Sequence, residues 1–126
     1  MWSQPVSDKR EVGDMILIIG GAFQGKTALA EKLAEESKGP LLLNVEERIR
    51  EGLLAGRAAE ELGDRLLSQA GPQGVLTARE IGCGIVPADA FERKWREATG
   101  RILCRLAQKA DTVYRVTAGL PQKIKG

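Results

Sequence analysis

Met15-Ile16-Leu17-Ile18-Ile19-Gly20-Gly21-Ala22-Phe23-Gln24-Gly25-Lys26-Thr27 decides the fold. Its first five residues form a short apolar run rich in β-branched side chains, which predicts a strand buried on both faces. From Gly20 to Thr27 the chain fits G-x-x-x-x-G-K-[ST], the pattern of a phosphate-binding loop. Each fixed position has a physical task. The glycines let consecutive backbone N–H groups turn inward around a phosphate, Lys26 reaches the outer phosphates, and Thr27 offers its hydroxyl to a bound Mg²⁺. A helix is predicted immediately afterwards over Lys26 to Ser37. It carries Leu29, Ala30, Leu33 and Ala34 at helical spacing, with Glu31, Lys32, Glu35 and Glu36 opposite. Its N-terminal N–H groups and dipole favour an anion at the same point. A plain glycine turn without a ligand would not need the Lys-Thr pair.

Further along, Leu41 to Val45 predicts a second buried strand after the Gly39-Pro40 turn. Glu46 to Ala70 is helical in period, with Gly52 and Gly56 expected to split it. Val75 to Arg79 predicts a third strand leading into the loop Glu80 to Val86. Pro87 suits the start of a long helix, whose apolar stripe runs through Phe91, Trp95, Ala98, Ile102 and Leu106. That stripe reads as core packing rather than as a stacking platform for a base. Val113 to Thr117 predicts a fourth strand. Strands alternating with helices give an α/β domain with a mostly parallel sheet of about four strands and helices on both faces. Residues 1–14 read as a flexible leader and 15–126 as a single nucleotide-binding domain.

Composition narrows the classes. Among 126 residues, 19 basic against 17 acidic side chains leave a net charge of +2, too little to argue for nucleic acid. Lys123 and Lys125 read as a solvated tail. No apolar run reaches membrane-spanning length and no signal peptide is visible, so no membrane insertion is expected and a cytoplasmic location is the default. Cys83 and Cys104 lack metal-ligand spacing and read as small apolar residues. There is no histidine, so a phosphohistidine or nucleotidyl-histidine intermediate has no residue to form on. Phosphoryl transfer at such a loop needs a metal and normally a carboxylate at a neighbouring strand end. The second strand ends in Asn44, which carries no charge. Glu46 and Glu47 read as ordinary first-turn helix residues, which leaves Glu80 as the candidate for a metal-bound water or for a substrate proton.

Two segments resemble a known family. Glu80-Ile81-Gly82-Cys83-Gly84-Ile85-Val86-Pro87-Ala88-Asp89-Ala90, followed by Tyr114 to Pro121, is similar to the adenosylcobinamide kinase/adenosylcobinamide-phosphate guanylyltransferases of cobalamin biosynthesis. Their Gly-Gly-Ala-x-x-Gly-Lys-Ser/Thr loop matches Gly20 to Thr27. Their Asn-Glu-Val-Gly-x-Gly-Ile-Val-Pro segment matches Arg79 to Pro87.

The resemblance implies a RecA-type P-loop domain and small symmetric oligomers. It also implies an enzyme that phosphorylates the aminopropanol hydroxyl of adenosylcobinamide with ATP or GTP and then transfers GMP through a guanylylated histidine. Gly20, Gly21, Ala22, Phe23, Gln24, Gly25, Lys26 and Thr27 would hold the nucleotide. Lys26 and Glu80 would serve catalysis, and Thr27 and Glu80 would hold Mg²⁺. This chain departs in three ways: a shortened stretch between the first helix and Leu41, no histidine, and Asn44 where an Asp is expected. The expected activity is therefore the kinase half-reaction alone. The alternatives are a non-catalytic nucleotide-binding partner or regulatory subunit, and an unrelated small P-loop ATPase.

Overall fold

The computed structural model describes residues 14–21, 25–81 and 89–126. The order is β1 (Ile16–Gly20), α1 (Lys26–Ser37), β2 (Leu41–Leu42), α2 (Val45–Leu54), α3 (Ala59–Ala70), a 3₁₀ turn at Gly71–Gln73, β3 (Val75–Arg79), α4 (Ala90–Lys109), β4 (Thr112–Thr117) and β5 (Leu120–Lys125). One five-stranded sheet runs β2-β3-β1-β4-β5. The first four strands are parallel and β5 returns antiparallel to β4.

The apolar run at the start of the chain becomes the central strand because both of its faces need cover. Ile16 and Ile18 face α1, together with Leu29, Ala30, Leu33, Val75 and Tyr114. Leu17 points the other way, among Ile49 of α2, Leu62 and Leu66 of α3, and Trp95, Ile102 and Leu106 of α4. The period-2 alternation of a strand thus splits one run between two cores. Gly20 pairs with Arg79 on one side and Val116 on the other. The carboxyl ends of β1, β3 and β4 are therefore level where the loop begins.

Three expectations change. The second strand shortens to Leu41–Leu42, because Asn44 turns into the left-handed region (φ 56, ψ 58) and Val45 already begins α2. Asparagine tolerates that conformation better than most residues. Gly52 does not break its helix: a Cβ there would lie 2.2 Å from Leu62 Cδ2, so the glycine lets α3 approach α2. The break falls at Ala55–Ala58, around Gly56 at φ 87. The supposed tail is a strand. Ala118 (φ 52) and Gly119 (φ 79) form a two-residue turn between Thr117 and Leu120, with positive φ at both centres as a tight hairpin requires. Lys125 Nζ then donates to the carbonyls of Ala107 (2.9 Å) and Gln108 (2.8 Å) at the end of α4.

The long helix starts at Ala90, capped by Asp89, whose side chain accepts the Glu92 N–H at 3.0 Å. Pro87 and Cys83 lie outside the described residues, as does the leader apart from Asp14. Cys104 is a free thiol exposed on α4. No described helix is long and apolar enough to cross a membrane.

Candidate functional site

The site is the ridge where β1 and β3 stop and α1 and α2 begin. Gly20 is buried at the end of β1, and a Cβ on it would stand 2.5 Å from the Val116 carbonyl oxygen. Only a glycine lets the chain leave the sheet at that point. Ala22, Phe23 and Gln24 lie outside the described residues. The loop ends at Gly25 (φ 94), from which a Cβ would reach to 3.2 Å of Gly119 Cα. The β4–β5 hairpin therefore props the base of the loop. A cavity of about 300 Å³ lies beside it, lined among others by Gly25, Lys32, Val116, Gly119 and Pro121.

Lys26 is buried, although it is the first residue of α1. Its Nζ donates to the Gly21 carbonyl at 2.6 Å, so the ammonium folds back over the loop. Burial pushes its pKa below the ordinary value of 10.5, the nearby Glu46 carboxylate pulls it back up, and Arg79 pushes it down again. A charge destabilised in this way gains from an anionic ligand. Thr27 follows with an exposed side chain on the first turn of α1.

Glu80 sits just past β3, where its N–H donates to the Gly20 carbonyl at 3.1 Å. Its carboxylate is held by Arg115 of β4, Nε to Oε1 at 3.0 Å and a second nitrogen to Oε2 at 3.3 Å. The planar guanidinium fixes both oxygens together. Asn44 is exposed and caps α2 through its backbone: its N–H donates to the buried Thr77 hydroxyl at 2.8 Å, and its carbonyl accepts from Glu47 and Arg48.

Glu46 is the residue that the sequence concealed. A first-turn glutamate is ordinarily solvated, yet this one is only 4% exposed. Its Oε1 accepts the Arg79 N–H at 2.8 Å, at the last residue of β3 and beside Gly20. Its own carbonyl accepts Trp95 Nε1–H at 2.8 Å from α4. The signal that would have found it is the short second strand. With a longer one, residue 46 would lie elsewhere. Arg115 was equally silent, one strand arginine among many basic residues.

Known proteins resemble the half of the chain that carries Glu80 and the hairpin. The model of the family described as cobinamide kinase / cobinamide phosphate guanyltransferase (CobU) matches residues 55–124, more than half of the 126 residues. Over 51 residues the chain is 45% identical to the bifunctional adenosylcobalamin biosynthesis protein CobU of Salmonella typhimurium strain LT2. It is 41% identical over 51 residues to that of Escherichia coli K12. Each alignment takes in 40% of this chain and 28% of the relative, so it spans little more than a quarter of the curated proteins' length. A solved structure from Pyrococcus horikoshii OT3 superposes with a TM-score of 0.47 at 10% identity, over 95% of this chain and 92% of that one. A likeness at that level carries no argument. The loop sequence, the parallel sheet that presents it and the match over residues 55–124 agree: this chain belongs to the cobinamide kinase / cobinamide phosphate guanyltransferase family.

Proposed function

We propose that the chain binds a nucleoside triphosphate with Mg²⁺ and transfers its terminal phosphoryl group to an alcohol, the aminopropanol hydroxyl of adenosylcobinamide. The observation that carries this reading is Lys26, a buried cation closing a glycine loop at the carboxyl end of the central strand. The loop N–H groups and the start of α1 take the phosphates, and Lys26 exchanges the Gly21 carbonyl for a phosphate oxygen. The donors nearby are hydroxyl and carboxylate oxygens, which suit Mg²⁺. No group of three acidic, histidine or cysteine ligands exists among the described residues, so phosphate oxygens and water would complete a shell held by Thr27 and Glu80. Mg²⁺ commonly keeps several waters, and bound there it supplies charge neutralisation. The substrate hydroxyl oxygen attacks the γ phosphorus, the bond to the β-phosphate oxygen breaks, and the nucleoside diphosphate leaves. Glu80, oriented by Arg115, accepts the hydroxyl proton, directly or through a water.

The guanylyl half-reaction through histidine is absent from this chain, which has none. Incubation with γ-labelled ATP or GTP and adenosylcobinamide should yield labelled cobinamide phosphate. A GTP labelled in the α phosphate should leave no label on the protein, and a covalent GMP adduct would sink the kinase-only reading. The second reading, a nucleotide-binding partner or regulatory subunit without transfer, is favoured by the neutral Asn44. Tight nucleotide binding with no phosphorylated product would select it. Assembly of several copies and a cytoplasmic setting accompany either reading, and sedimentation of the purified chain tests the first of these.

A further inference from the structure

Lys26 and Glu46 are the two formally charged residues buried among the described ones. They come from different helices and meet at the same strand ends, yet each spends its contacts on backbone: Lys26 on the Gly21 carbonyl, Glu46 on the Arg79 amide. No ion pair joins them. Buried charges that attract across a gap without a direct contact are only partly compensated. An ordered pair of opposite charges relieves both at once, with an anion against Lys26 and a cation against Glu46. A metal-complexed phosphate has that polarity. Asn44 adds no charge at these strand ends, and Glu80 shares its charge with the guanidinium across both of its oxygens, which leaves room for a further carboxylate.

Glu46 is also held more firmly than a first-turn residue normally is. Trp95 Nε1–H pins its carbonyl. Trp95 is in turn covered by Arg50, whose guanidinium carbon lies 4.9 Å from the Trp95 ring and 5.2 Å from the Phe91 ring. Arg50 is tied to Glu92 at 2.7 Å. Cation–π contacts of this kind hold a ring in place as well as cover it.

We propose that Glu46 is a second carboxylate, beside Glu80, through which this chain holds the nucleotide's magnesium ion, and that Trp95 is the positioning residue that aims it. The assignment rests on the nucleotide–magnesium reading above. Removing the charge while keeping the shape should therefore uncouple metal from nucleotide. In E46Q the amide oxygen still accepts the Arg79 N–H, so the fold persists. W95F keeps an aromatic ring against Arg50 and removes the hydrogen bond to Glu46.

The test is titration of the full chain with a fluorescent N-methylanthraniloyl GTP, once with excess Mg²⁺ and once with EDTA. Mn²⁺ water-proton relaxation in the same complexes reads the metal directly. The wild type should bind more tightly with Mg²⁺. E46Q should lose on the order of tenfold of that metal-dependent gain, as expected for one charged contact, with affinity in EDTA unchanged or higher, since a carboxylate beside the phosphates is removed. W95F should lose part of the gain, also with affinity in EDTA unchanged, and E46D should restore part of it. An E46Q chain that keeps the full Mg²⁺ gain and the Mn²⁺ signal overturns the assignment while leaving the nucleotide reading intact. So does one that loses affinity equally with and without metal, which would mark Glu46 as structural. A wild type that binds no nucleotide in either condition overturns both.

Discussion

Lys26 carries a conflict that can be measured before any ligand is found. In the folded chain its pKa lies below 10.5, chiefly through burial. Between the folded and unfolded values the unfolded state holds the proton more strongly, so stability from this group rises with pH through that window and is diminished below it. The difference in urea-unfolding stability between wild type and K26M should therefore shift in favour of the wild type as the pH rises towards 10.5. A difference that stays flat, or falls, would show that the lysine is well solvated. Saturating triphosphate should stabilise the wild type and leave K26M unmoved, since ligand stabilisation follows occupancy of the folded state alone. Gly20 is a second point of residue-scale constraint. In G20A the new methyl meets the Val116 carbonyl at 2.5 Å, and the clash is with backbone, which gives little. A loss of about 1–3 kcal/mol in chemical denaturation is expected.

At the scale of elements, α4 does two jobs. Trp95, Ala98, Ile102 and Leu106 form one buried stripe that covers the sheet, and the first of them reaches Glu46. Its apolar spacing was legible in the sequence and so was its role as cover, because a 3.6-residue period leaves few alternatives. The reach to Glu46 was not, since a Trp Nε1–H bond spanning 49 residues of chain leaves no periodic trace. I102A should cost about 2–5 kcal/mol by urea unfolding, with the loop end of the sheet left in place. The β4–β5 hairpin shows the same division. Ala118-Gly119 is a weak turn signal by composition, and the lysines beyond it looked like a tail. Pairing along β4 is a tertiary matter that local polarity concealed. G119V would place a β-branched side chain at φ 79. A loss of about 1–3 kcal/mol should appear in unfolding, and nucleotide affinity should fall with it, because Gly119 backs Gly25.

For the molecule as a whole, the P-loop α/β architecture followed from one segment and its alternating neighbours. An apolar β-branched run must be covered on both sides, and a strand–loop–helix unit forces the next strand to run parallel. Fold class, the third strand and the loop's place at the strand ends were therefore readable. The site's second carboxylate was not, because its position depends on how soon β2 gives way to α2. Family membership, drawn from residues 55–124, removes the ground for reading the chain as an unrelated small ATPase.

The place of β1 in the sheet reaches beyond the finished structure. Its two partners are β3, which begins at Val75, and β4, which begins at Thr112, so the first of the described strands waits for both of its neighbours until more than fifty residues further along the chain. During synthesis the run Ile16 to Ile19 leaves the ribosome with no partner strand, and it gains its second one only when Thr112–Thr117 emerges. Until then a β-rich, uncharged segment stands open, the kind that seeks neighbours in other chains. Expression of this protein should be governed less by its final stability than by how quickly translation delivers β4 to that waiting edge.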